Sequence, residues 1–307
     1  MRPLVLIAAC ALACDRPPTT SPATAAPTAS APQTAADAPA SQPDVATVPV
    51  RADHPRAEGC ELAAGDVELD LEVGALRRHV LLRVGESLAS PPPVVFAWHG
   101  FGDSPWSAKR SLEGVAAWRD GIIVAPQGAP RTFEQFGATP RAGWQVHQGE
   151  LGDRDLALFD AIVAELDRRG CLDRDRVYST GFSNGGFFTN VLACHRADVL
   201  AAAAPTGGGG PFTGCDDTRV PILVTHGHND TVVPFASAQK SIAIWTAHNG
   251  CNAGTQAPKD GCIDAKGCRE DSPVRVCAFG IDHVWPAGQS ERVTEFLRGF
   301  RKPRAPK

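Results

Sequence analysis

The 307-residue chain is short of several things, and each shortage narrows what it can be. Positive charge is not in excess: 30 Lys and Arg stand against 34 Asp and Glu, for a formal net charge of −4. Binding to a phosphate backbone needs a broad basic surface, so nucleic acid is not an expected partner. No apolar run is long enough to cross a bilayer, and no internal repeat is visible. Ten cysteines are present, yet no pair has the C-x-x-C spacing of a redox or zinc motif. So many cysteines outside such motifs point to an oxidising compartment. With 43% hydrophobic and 21% charged residues, the composition is that of a globular protein.

The N-terminus agrees with export. Met1-Arg2 is a short positive start, and Leu4 to Ala13 is apolar, too short to span but suited to a signal core. Residues 1–14 therefore read as a signal peptide of lipoprotein type. Cys10 fits the lipoprotein consensus better, whereas Cys14 leaves a more credible apolar length and an even set of eight further cysteines. Cys14 is the expected lipidation site, with an ordinary cleaved signal as the alternative. Residues 15–58 are rich in Ala, Pro and Thr and have almost nothing large enough for a core, so they read as a disordered tether. Residues 59–303, roughly 245 in all, suit one α/β domain.

Within that domain, short apolar and β-branched runs alternate with helical patterns. Strands are expected at Val67–Val73, His79–Val84, Val94–His99, Ile122–Ala125, Val177–Thr180, Leu200–Pro205, Ile222–His226 and Val274–Phe279. The central ones are nearly continuous apolar runs, as parallel strands covered on both faces require. Asp155–Arg169 carries Leu156, Phe159, Ile162, Val163 and Leu166 at the period of an amphipathic crossover helix. The expected architecture is a mostly parallel sheet of about eight strands, helices on both faces, and no separate lid domain.

The sharpest local signal is Gly181-Phe-Ser183-Asn-Gly185-Gly186, placed between the strand ending at Thr180 and a helix-like stretch, Phe187 to Cys194. A serine at the apex of a strand-to-helix turn needs strained backbone angles and very small flanking residues, which Gly181 and Gly185 supply. Such a turn lifts the Ser183 hydroxyl to the carboxyl edge of the sheet. It also sets the Asn184 N–H at the positive end of a helix, where an oxyanion would be stabilised.

A serine nucleophile needs a base, and the base a carboxylate. Pro221 to Asp230 is a buried-type strand with a polar end, so Asp230 stands at a strand's carboxyl edge. After Val274–Phe279 comes Gly280-Ile-Asp-His283, the only histidine beyond Asp230 that follows a strand; His248 lies in the helical stretch Ser237–Asn249. Asp282 and Asp217 compete with Asp230 for the acid role, but neither combines strand end and chain order. The second oxyanion donor is expected from the loop after Val94–His99, at the Phe101 amide. His99 precedes Ser183 and is expected to pack beneath that loop on a backbone hydrogen bond. No metal or organic cofactor is required by this chemistry.

Two other readings compete. His226-Gly-His228-Asn-Asp230 has an H-x-H-x-D spacing that could begin a zinc site, though Thr231 stands where a further histidine is wanted. A surface lipoprotein that keeps the scaffold as a non-catalytic binding module is the other.

Together the motifs resemble the secreted polyhydroxybutyrate depolymerase and feruloyl esterase group of α/β-hydrolases. The resemblance runs from Gly59-Cys60 through His99-Gly-Phe-Gly-Asp, Cys171-Leu-Asp-Arg-Asp-Arg-Val-Tyr, the Ser183 turn, His226-Gly-His-Asn-Asp-Thr-Val-Val-Pro and His283-Val-Trp-Pro. It implies a triad of Ser183, Asp230 and His283 and an acyl-enzyme mechanism on carboxylic esters. Feruloyl or related plant-polysaccharide esters are the expected substrates, with hydroxybutyrate oligomers or acetylated xylan as alternatives, and the protein is expected to be monomeric. Cys60 with Cys171, Cys194 with Cys215, and Cys251 with Cys277 match the group's disulfide pattern. Cys262 and Cys268 fall outside it and are expected to form an additional short-loop bridge. One departure is Asp282, where the group has glycine; it could raise the basicity of His283 or face solvent. Phe182, Phe187, Trp106, Trp144 and Trp285 lie in or near site loops and could stack on an aromatic acyl group, or belong to the core.

Overall fold

The computed structural model describes residues 59–302; Cys10, Cys14, the signal expected at 1–14 and the tether expected at 15–58 lie outside them. The described chain opens with an antiparallel pair, β1 (Gly65–Val73) and β2 (Leu76–Val84). There follow β3 (Val94–Trp98), α1 (Pro105–Glu113), β4 (Ile122–Pro126), β5 (Ala129–Arg131), β6 (Arg141–Gly143), α2 (Arg154–Arg168) and β7 (Val177–Phe182). Then come α3 (Asn184–His195), β8 (Ala202–Thr206), β9 (Ile222–Gly227), α4 (Phe235–His248), β10 (Gly261–Asp264), β11 (Val274–Phe279) and α5 (Gln289–Arg298).

Nine strands form one sheet in the order β1-β2-β4-β3-β7-β8-β9-β11-β10, and β5 with β6 make a separate hairpin. From β4 to β11 every neighbouring pair is parallel, so those strands present their carboxyl ends along one edge. All eight expected strands are present. The ninth, β10, is the four-residue run Gly-Cys-Ile-Asp, too short and too exposed to show a strand pattern.

Burial explains the layers. Every residue of β3, β4 and β8 is buried, because helices cover both faces, whereas β1 alternates between half-buried and exposed positions. On one face α2, α3 and α4 bring Phe159, Ile162, Phe188, Leu192 and Trp245 against Phe96 and Trp98. On the other, α1 and α5 bring Leu112, Val293 and Leu297 against Val95, Ala97 and Leu223. Each fully buried Phe, Leu or Ile contributes roughly 1.5–3 kcal/mol relative to exposure.

Four disulfides tie the described chain. Cys60–Cys171 and Cys194–Cys215 pair as the resemblance implied. The last four cysteines do not: the bonds are Cys251–Cys268 and Cys262–Cys277, in place of Cys251–Cys277 and Cys262–Cys268. The cause is β10, whose antiparallel register on β11 sets Cys262 directly opposite Cys277, at a Cα separation of 4.0 Å. Cys251, just beyond α4, meets Cys268 instead. The backbones there are joined by Asn252 N–H to Lys266 O (2.7 Å) and Arg269 N–H to Asn249 O (3.2 Å).

Candidate active site

The Ser183 turn stands at the carboxyl end of β7, between β3 and β8 in the sheet. Ser183 has φ 55° and ψ −119°, a positive φ that a non-glycine residue adopts only under strain. Its neighbours explain why the turn closes. A Cβ at Gly185 would lie 2.0 Å from the Trp98 carbonyl oxygen, one at Gly181 would lie 2.4 Å from Gly185 O, and one at Gly186 2.5 Å from Thr206 O. Ser183 N–H donates to Thr206 O (3.0 Å), and Ser183 O accepts from Phe187 N–H (3.0 Å), so both arms of the bend are bonded.

Asp230 and His283 come from neighbouring strand ends, β9 and β11, and are bonded: His283 Nδ1 lies 2.7 Å from Asp230 Oδ2. Since a carboxylate oxygen only accepts, Nδ1 carries the hydrogen and Nε2 keeps its lone pair. The other oxygen, Asp230 Oδ1, accepts from the N–H groups of Val232 (3.0 Å) and Val233 (2.7 Å), which fix the carboxylate in its buried position. The imidazole packs on the Phe182 ring at 4.7 Å, directly beside Ser183, and its Cε1 is 3.5 Å from the Cβ position at Gly207. Ser183 Oγ itself forms no hydrogen bond to His283; the two are linked through Phe182, which precedes Ser183 and carries the imidazole on its ring. Such bonds commonly tighten only when substrate is bound.

The residues expected to supply the oxyanion amides stand at the same edge of the sheet. Asn184 is the first residue of α3, where an N–H has no intrahelical acceptor. Phe101 follows β3 in a loop anchored by Gly102 N–H to Ala142 O (2.7 Å) and Asp103 N–H to Gly100 O (3.2 Å). His99 lies buried beneath this loop, as its place before Ser183 suggested. Its Nδ1 donates to Gly100 O (2.7 Å), and its Nε2 accepts from Gly128 N–H (2.9 Å). Burial holds its pKa below the ordinary value, consistent with a neutral ring.

Other candidates separate. Asp217 is exposed, and His248 at the end of α4 lies 3.3 Å from Thr218 O. Asp282 neither bonds the imidazole nor points free into solvent: its Oδ1 accepts from His283 N–H (2.7 Å), Thr231 N–H (2.8 Å) and Thr231 Oγ–H (2.9 Å). These backbone N–H groups hold its carboxyl below the usual range. The H-x-H-x-D spacing does not converge on a common point. His226 Nε2 lies 2.8 Å from Val233 O and 3.2 Å from Asp230 Oδ2, whereas His228 Nε2 is turned to Pro258 O (2.7 Å) with its ring on Phe235. Among the described residues no group of three metal-type ligands is found.

The aromatics divide likewise. Trp144 is core, packed on Trp98 and Phe188. Trp106 is exposed beneath the Lys109 ammonium, and Phe187 is stacked on Phe212. Phe182 and Trp285 line a cavity of about 170 Å³ beside Gly100, with Asp103 and Ser107 at its wall.

Two supports were not read from the sequence. The Asn184 side chain makes a reciprocal pair with residue 144, Oδ1 accepting from Trp144 N–H (2.7 Å) and Nδ2 donating to Trp144 O (3.0 Å). Buried His226, its pKa held down by burial, seats Asp230 from below. The first has no local signal, since the partners are 40 positions apart; the second was visible only as a metal-like spacing.

Residues 128–252 match the dienelactone hydrolase family. The chain is 31% identical over 228 residues to the probable feruloyl esterase C of Aspergillus terreus, covering 67% of this chain and 76% of that protein. It is 32% identical over 198 residues to the protein of the same name from Aspergillus clavatus, covering 62% and 69%. In fold it resembles the acetyl xylan esterase from Aspergillus awamori, with a TM-score of 0.57 and 16% identity over 75% of this chain and 99% of that one. The chain thus belongs to the feruloyl esterase family of α/β-hydrolases and is a carboxylic ester hydrolase.

Proposed function

We propose that the protein hydrolyses feruloyl or related esters of plant polysaccharide through a covalent acyl-enzyme on Ser183. The observation that carries the reading is the 2.7 Å bond from His283 to Asp230 at the strand edge that also holds the Ser183 turn. His283 Nε2 takes the proton of Ser183 Oγ as that oxygen attacks the ester carbonyl, and Asp230 stabilises the imidazolium that forms. The N–H groups of Phe101 and Asn184 receive the developing oxyanion, a contribution worth roughly 3–4 kcal/mol per donor where it has been measured elsewhere. The tetrahedral adduct collapses, the C–O bond to the alcohol breaks, and the imidazolium protonates the departing oxygen. Water, deprotonated by the same imidazole, then attacks the acyl carbonyl, and Ser183 leaves with its proton restored.

The feruloyl choice is supported by the names of the relatives, and Phe182, packed on the His283 imidazole with Trp285 at its edge, sets aromatic surface beside the proposed base. Four disulfides suit an oxidising compartment and so support export; the lipid anchor on Cys14 and the monomeric state are proposed with it from the sequence alone. Methyl ferulate, acetyl xylan and hydroxybutyrate oligomers assayed side by side test the substrate. Preference for methyl ferulate supports the proposal, and higher kcat/KM on either of the others overturns it.

A further inference from the structure

The loops after β9 and β11 exchange carboxylates. Asp230, on the first, accepts from the side chain of His283 on the second; Asp282, on the second, accepts from both the N–H and the hydroxyl of Thr231 on the first. The same Oδ1 also accepts from the N–H of His283 itself, so one oxygen joins the residue after the proposed acid to the backbone of the proposed base. Below it the loops are laced by His228 N–H to Phe279 O (2.7 Å), Asn229 N–H to Ile281 O (3.0 Å) and Asn229 Nδ2 to Gly280 O (3.1 Å). Asp282 extends the lacing to the backbone N–H groups of Thr231 and His283. Asp282 and Val284 are exposed, Val284 by 51%, whereas the His283 ring between them is packed on Phe182 and bonded to Asp230; the backbone N–H of His283 is held by Asp282 Oδ1.

We propose that Asp282 is a positioning residue of the hydrolytic site: its Oδ1 serves as a three-way acceptor that holds the His283 backbone against Thr231, so that the imidazole meets Asp230 and Ser183 in register. The inference rests on reading His283 as the base. It needs only an oxygen acceptor at position 282, not a charge. Asp282 Oδ1 is engaged by three donors of the two loops, so its loss is expected to lower turnover more than binding. A displacement of about 1 Å at a catalytic group costs about a hundred-fold in rate, which sets the upper end of the expected effect.

The experiment compares Asp282→Ala with Asp282→Asn, whose amide oxygen can still accept, on one soluble ester such as p-nitrophenyl acetate. Asp282→Ala is expected to lower kcat by about ten- to hundred-fold with KM within about two-fold. It is also expected to broaden the low-field proton NMR signal of the His283 Nδ1–H. Asp282→Asn is expected to keep kcat within about three-fold and to keep that signal. Thr231→Val, which removes one of the two donors on the opposite loop, is expected to shift kcat in the same direction by less. Wild-type kcat in Asp282→Ala overturns the inference, as does an Asp282→Asn variant as impaired as Asp282→Ala. An active Ser183→Ala variant would sink the underlying mechanism instead, so the two failures are distinguishable.

Discussion

Gly185 and Trp98 stand so close that a Cβ on the glycine would lie 2.0 Å from the tryptophan's carbonyl oxygen. That contact lets the helix after Ser183 start where the third strand ends, and it leaves the two proposed oxyanion donors, Phe101 and Asn184, on the same edge. Gly185→Ala is therefore expected to force the turn open, at a cost of about 3 kcal/mol or more in stability, with esterase activity lost. Urea denaturation and p-nitrophenyl acetate assays check this. Wild-type values for both would mean that the turn is not as closely packed as described.

The Asn184 side chain supplies a second constraint. Replacing it with Ala leaves the buried N–H of Trp144 without its acceptor and its C=O with Arg131 alone, a change worth about 1–3 kcal/mol. Because the backbone N–H of the same residue is a proposed oxyanion donor, kcat is expected to fall with stability. Activity unchanged in a destabilised variant would show that the donor's position does not depend on that pairing.

The disulfides give a prediction that needs no mutation. Peptide mapping of the oxidised protein should recover Cys251 linked to Cys268 and Cys262 linked to Cys277, and recovery of Cys251 with Cys277 would contradict the strand register. Removing Cys60–Cys171, which links positions 111 apart, should cost about 2–5 kcal/mol, because the unfolded chain regains the entropy of a long open loop.

Two buried histidines predict an acid limb in stability. Burial lowers the pKa of both His99 and His226, so the unfolded chain binds more protons than the folded one below the ordinary histidine value, about 6.5. Stability contributed by these groups is complete above that pH and falls as the pH drops towards their folded values. Melting temperature should therefore decline between about pH 6.5 and pH 5, before most carboxylates titrate. A rise in Tm over that interval would contradict the assignment of both rings as neutral.

Long apolar runs and glycine-flanked turns were legible without coordinates. The central strands are buried on both faces, so residues 94–98 and 222–227 carry a continuous signal, and the Gly181 and Gly185 requirement follows from steric limits local to the turn. The pairing of the last cysteines was not legible. It depends on an exposed four-residue edge strand whose only sequence mark is its cysteine, and on a register set by tertiary packing. Asp282 was visible as a departure from the resembling group, but its work depends on Thr231, 51 positions earlier, and no periodicity connects the two. Trp144 shows the same limit from the other side, since an aromatic near a site loop and an aromatic in the core read alike until burial separates them.

The central claim is that Ser183 becomes acylated through His283. Reaction with a fluorophosphonate probe followed by mass spectrometry tests it directly. The account predicts one modified residue, Ser183, labelling slowed by orders of magnitude in His283→Ala, and none in Ser183→Ala alongside loss of ester hydrolysis. Labelling at another serine, or methyl ferulate turnover undiminished in Ser183→Ala, would contradict it.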